Sequence, residues 1–155
     1  MALDIQLEGS IKFGIPEADG SILAADLDEF GLEISSLVIG RTRQNVSKPP
    51  TFGDASINQR AGALEEALTI NFFNDETVAT SFWALCWEAI ETTPCELYFE
   101  ATMVDAVPSA TNPIFSGYVM VADLDSGGTV NEFKQQSKTW PARGVTKGIA
   151  PIVHA

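Results

Sequence analysis

Alternation of apolar and polar side chains with a period of two recurs along this chain, whereas helical spacing occurs in one place only. That imbalance excludes a parallel sheet built from alternating strands and helices and leaves an antiparallel one. Leu64, Glu66, Leu68, Ile70 and Phe72 alternate with Glu65, Ala67, Thr69, Asn71 and Phe73. Leu97, Phe99, Ala101 and Met103 alternate in the same way with Glu96, Tyr98, Glu100 and Thr102. Residues 32–39 form a third candidate strand, and the shorter runs Leu3–Leu7 and Ile11–Phe13 read as edge strands. Ile114–Leu124 is apolar on both faces, as a central strand buried from two sides would be. Asp125-Ser126-Gly127-Gly128 supplies a tight turn, after which Thr129–Thr139 reads as a polar partner strand ended by Trp140-Pro141.

The exception lies at about residues 76–91. Val78, Phe82, Leu85, Cys86, Ala89 and Ile90 recur on one helical face, with Asn74 or Asp75 as the cap and Thr92-Thr93-Pro94 as the stop. Trp83 and Trp87, one turn apart, flank that stripe and suit packing. The expected fold is mainly β (α+β): an antiparallel β-sandwich or barrel flanked by one α-helix, with mobile termini. A chain of 155 residues fits one such domain over 1–155.

Two stretches fall outside the pattern. Residues 40–62 carry Arg41, Arg43 and Lys48, then Pro49 and Pro50, then Phe52, without clear periodicity. Paired prolines cannot sit in a central strand, and a long irregular segment in a compact domain is usually functional or disordered. The segment is therefore expected to be an extended arm or hairpin ordered against a partner, and those six residues are the candidates for a subunit interface. The tail at 143–155, punctuated by Gly and Pro, is expected to stay loose until something holds it.

Composition narrows function mainly by exclusion. A net charge of −12 disfavours nucleic acid and anionic membrane as partners. Acids gather in residues 1–33 and bases in residues 126–155, an asymmetry that either solvates two faces or sets the register between copies. The only histidine, His154, is penultimate, so no base is expected to be positioned for nucleophilic catalysis. Cys86 and Cys95 lack a Cys-x-x-Cys spacing, and both phosphate-binding glycine motifs are missing. Asp123-x-Asp125-x-Gly127 is only a fragment of a calcium loop. No enzyme activity, cofactor or metal is expected. With neither a secretion signal nor a long apolar run, the chain is expected to be made in a cytoplasm.

The order of elements carries a resemblance. Leu68-Thr69-Ile70-Asn71-Phe72 leads into the helix holding Phe82-Trp83-Ala84-Leu85, followed by Leu97-Tyr98-Phe99 and Phe115-Ser116-Gly117-Tyr118-Val119. The closing run Val130-Asn131-Glu132-Phe133-Lys134 then leads to Trp140-Pro141-Ala142-Arg143-Gly144. Over roughly residues 64–148 this resembles the major tail tube proteins of siphophages, the long-tailed bacteriophages. The resemblance implies a structural virion protein, made in the bacterial host, that assembles with itself into stacked, hexameric rings forming the tail tube. It implies the tape measure protein and the tail terminator and distal tail proteins as partners, with DNA passing through the lumen without specific binding. An anionic lumen would not retain DNA, and Glu96 and Glu100, on one side of their strand, are the candidates to face it. The tube protein of a contractile tail or type VI secretion system is the alternative within the class. A small ligand- or sugar-binding β-barrel and a carboxylate-dependent hydrolase are the alternatives outside it.

Overall fold

The computed structural model describes residues 9–49, 52–53, 58–128 and 132–154. The strands are β1 (Ser10–Gly14), β2 (Asp28–Glu29), β3 (Ile34–Lys48), β4 (Asn58–Phe73), β5 (Glu96–Thr102), β6 (Ile114–Met120) and β7 (Gln135–Gly148), with one helix, α1 (Phe82–Glu91), between β4 and β5. The fold is mainly β: one seven-stranded sheet in the order β2-β1-β5-β6-β7-β4-β3, antiparallel throughout. The strand read as apolar on both faces, β6, is the middle one of the seven. Leu3–Leu7, read as a strand, lies outside the described residues.

Alternation on β4 puts Leu68, Ile70 and Phe72 in the core with no exposed surface, and β5 contributes Leu97 and Phe99 in the same way. Phe82 of α1 lies 4.8 Å from Phe13 on β1 and 4.9 Å from Phe72 on β4, measured between ring centroids. In strand order β1 and β4 are four places apart. A flat sheet would separate them by about 19 Å, so this sheet curls and α1 closes the concave side.

The helix starts at Phe82, six residues later than the sequence suggests, because a different cap forms. Ser81 Oγ accepts the Ala84 N–H at 3.2 Å and donates to the Asp75 carbonyl at 2.7 Å. Glu33, ahead of β3, sets its carboxylate 3.3 Å from the Phe82 N–H, at the helix end that Asn74 or Asp75 is expected to cap. Val78 accordingly lies off the buried face and is exposed. Trp83 and Trp87 stack on each other at 5.3 Å, and the Trp83 indole N–H donates to the Asp125 carbonyl.

The closing strand also differs from expectation. No strand leaves the Asp125–Gly128 turn within the described residues; β7 begins at Gln135 and continues through Pro141 to Gly148. Pro141 lies opposite Ala67 of β4 and one residue ahead of the point where β7 begins to pair with β6, at Ala142. Gly144, at φ 61°, absorbs a register shift opposite Gly117, where a Cβ would press on Val145. Residues 143–148, read as loose tail, are therefore part of the sheet.

Candidate assembly surfaces

β3 and β4 pair with each other from Ile34–Phe72 to Lys48–Asn58, but β7 follows β4 only as far as Glu66. Thr42–Lys48 and Asn58–Glu65 thus extend past the sheet as a two-stranded ribbon, about 23 Å long at strand rise. The segment expected to be an extended arm or hairpin is a hairpin over most of its length, with a register shift between Arg43 and Asn45. Residues 41–49 and 59–61 are exposed on both faces, which is why no alternation marks the segment. Among its side chains, Arg43 donates to the Gly62 carbonyl at 3.1 Å, and Asn45 bonds Gln59. Isolated two-stranded hairpins are marginal in water, and among the described residues no strand pairs with either edge of this one.

The interface candidates divide along the ribbon. Arg41 sits at its base, 3.3 Å from the Glu66 carboxylate. Arg43 lies at midspan, while Lys48, Pro49 and the fully exposed Phe52 are at the tip. Pro50 is outside the described residues. Projecting Thr42–Lys48 and Asn58–Glu65 hold Arg43, Lys48 and Arg60 against Glu65, a net of +2 on a chain of −12.

Glu96 and Glu100 share a face of β5, as their parity requires, and within a single copy that face is covered. Glu96 pairs with Arg143 at 2.7 Å, and the guanidinium of Arg143 lies 4.3 Å above the Tyr118 ring. Glu100 accepts the Tyr98 hydroxyl at 3.0 Å and touches His154 Nε2, with both side chains about a tenth exposed. The His154 ring meets Tyr98 edge to face at 5.8 Å. Burial, and then the charge of Glu100, push the Tyr98 hydroxyl well above its ordinary pKa. His154, expected to fray, instead fastens the chain end to the sheet; no local signal marks a contact made across so many residues.

The Asp123 and Asp125 carboxylates clamp Lys138, at 2.7 and 3.1 Å. The calcium-loop fragment is thus occupied by a lysine. Hydrogen bonding from Lys138 holds Asp123 below the usual carboxylate range, and the same contact raises Lys138. Among the described residues, no three or more His, Cys, Asp or Glu side chains are grouped to hold a metal, and no helix is long and apolar enough to cross a membrane. Cys86 and Cys95 are free, and burial raises the Cys86 thiol.

No family model and no curated protein matches the sequence. Among solved structures, the fold is similar to a chain of the cryo-EM structure of the anti-feeding prophage baseplate, determined with sixfold symmetry. The TM-score is 0.53 at 12% sequence identity, over 96% of this chain and 98% of that one. The match runs over nearly the full length of both chains, so the likeness is one of overall fold.

Proposed function

We propose that this chain is a structural protein of a phage-tail-like particle, which assembles with copies of itself into the stacked rings of a tail tube. The observation that carries this reading is the β3–β4 ribbon, a basic, two-sided projection with open edges on an otherwise acidic domain. Such a projection is completed by another chain or left marginal. The fold's likeness, end to end, to a chain of a sixfold-symmetric prophage baseplate supports a ring-forming role and a place in the virion tail. In this reading the long free edge of β3 continues the sheet into a neighbour, six copies close a ring, and the ribbon reaches the next ring. The tape measure protein and DNA occupy the lumen, with terminator and distal tail proteins at its ends. Net acidity keeps the DNA mobile, and Glu96 and Glu100 contribute to that charge once ring contacts rearrange the cover over β5.

The same baseplate likeness favours a second reading, in which the tube belongs to a contractile tail or a type VI secretion system. Light scattering and electron microscopy over a concentration series test the proposal. Rings or tubes are the expected result, and a monomer at every concentration would overturn it. Tubes recovered from particles with an outer sheath select the second reading.

A further inference from the structure

The end of the sheet opposite the ribbon tip carries a second unpartnered feature. Leu32 and Phe133 are almost wholly exposed, Phe73 is partly so, and the three line one depression of about 470 Å³ together with Glu33, Asn74 and Asp75. The Phe73 and Phe133 rings meet edge to face at 6.3 Å, which fixes the shape of one wall. Single exposed apolar residues are ordinary, but three converging in one hollow mark a contact site. Acids surround it: Glu33 and Asp75 on the walls, with Glu76 and Glu132 adjoining in sequence, against Lys134.

The ribbon tip is its complement. Phe52 is fully exposed there, and from Thr42 to Glu65 the sequence carries Arg43, Lys48 and Arg60 against Asp54 and Glu65. Both features belong to the same pair of strands. Leu32 precedes the start of β3 and Phe73 ends β4, whereas the tip lies past Lys48 and Asn58. Fifteen residues of β3 span about 50 Å, so a tip cannot reach the hollow of its own chain. A second copy can present it.

We propose that Phe52 of one copy seats in the Leu32–Phe73–Phe133 hollow of the next, with the ribbon's bases facing the acids around it. This rests on the self-assembly reading above and names the surface that receives the ribbon. The contact is heterologous: each copy uses one surface to give and another to receive, so between stacked rings it repeats from one ring to the next. A central aromatic in an apolar pocket within a charged rim is the arrangement in which one side chain carries much of the binding energy.

The test uses two full-length variants, Phe52→Ala and the double variant Leu32→Ser with Phe133→Ser, each shown by circular dichroism and thermal melting to fold like the parent. Each alone should raise the concentration needed for stacking by about 30-fold or more, the hot-spot threshold. Mixed one to one below that concentration, they retain one intact tip and one intact hollow. They should therefore form stacks of two units and no longer ones. Stacking of either variant at the parent's concentration, or a mixture that forms no pairs, overturns the proposal while leaving self-assembly standing. A parent chain that never assembles overturns the self-assembly reading itself.

Discussion

His154 Nε2 contacts the Glu100 carboxylate across 54 residues of sequence, tying the segment after β7 to β5. Tyr98 donates to the same carboxylate. Removing the imidazole leaves a buried acid with one partner fewer, and hydrogen bonds to charged groups are worth about 1.5–3 kcal/mol. His154→Ala should therefore lower unfolding stability by about 2 kcal/mol in urea titration. An unchanged midpoint would show that the chain end contributes nothing to the isolated fold.

Phe82 joins both arms of the curled sheet through Phe13 and Phe72. Truncating a fully buried phenylalanine costs about 3–5 kcal/mol, and here the cavity opens beneath the helix. Phe82→Ala should fall in that range and weaken the near-ultraviolet signal of the aromatic cluster. Ser81→Ala, which removes the cap on Ala84 and the bond to the Asp75 carbonyl, should cost about 1–2 kcal/mol.

Acid stability should depend on the Lys138 clamp. The folded-state pKa of Asp123 is depressed, so its contribution is present above the ordinary value of 3.8 and is lost as pH falls through the depressed one. For Lys138 the sign reverses: its raised pKa gives stability below 10.5 that is lost as pH climbs through the higher value. Asp123→Asn should flatten the fall in melting temperature between about pH 4 and pH 2. A variant that loses stability on acidification as steeply as the parent would argue against a role for the clamp.

Deleting Pro49–Asp54 leaves three residues between Lys48 and Asn58, an ordinary hairpin loop length. The domain should keep its melting temperature within a few degrees, and particle size by light scattering should fall to single rings or smaller. Unfolding on deletion would mean that the tip supports the sheet of its own chain.

What the sequence made legible follows from which surfaces stay dry. β4, β5 and β6 each have a buried face or two, so Leu68–Phe72, Leu97–Ala101 and the run from Ile114 were readable from periodicity. The ribbon has no dry face, so a strand with nothing to alternate read as an arm, and only its charges and paired prolines hinted at a partner. At Pro141 the general rule against proline in strands suggested an end where β7 in fact continues, paired there with β4. The helix began late because its N-terminus is served by Glu33 and Ser81 in place of the nearer acids. His154 and the Leu32–Phe73–Phe133 hollow are tertiary juxtapositions, and neither has a spacing that sequence alone would reveal.

Because the β3–β4 ribbon leaves the sheet in one direction only, a polymer built by the head-to-tail stacking proposed above would have two chemically unlike ends. One terminates in cationic fingers and the other in empty acidic hollows. Initiation and termination can then be assigned to different capping proteins, each matched to one end, and subunit addition at the growing end need not compete with the factor that sets the length.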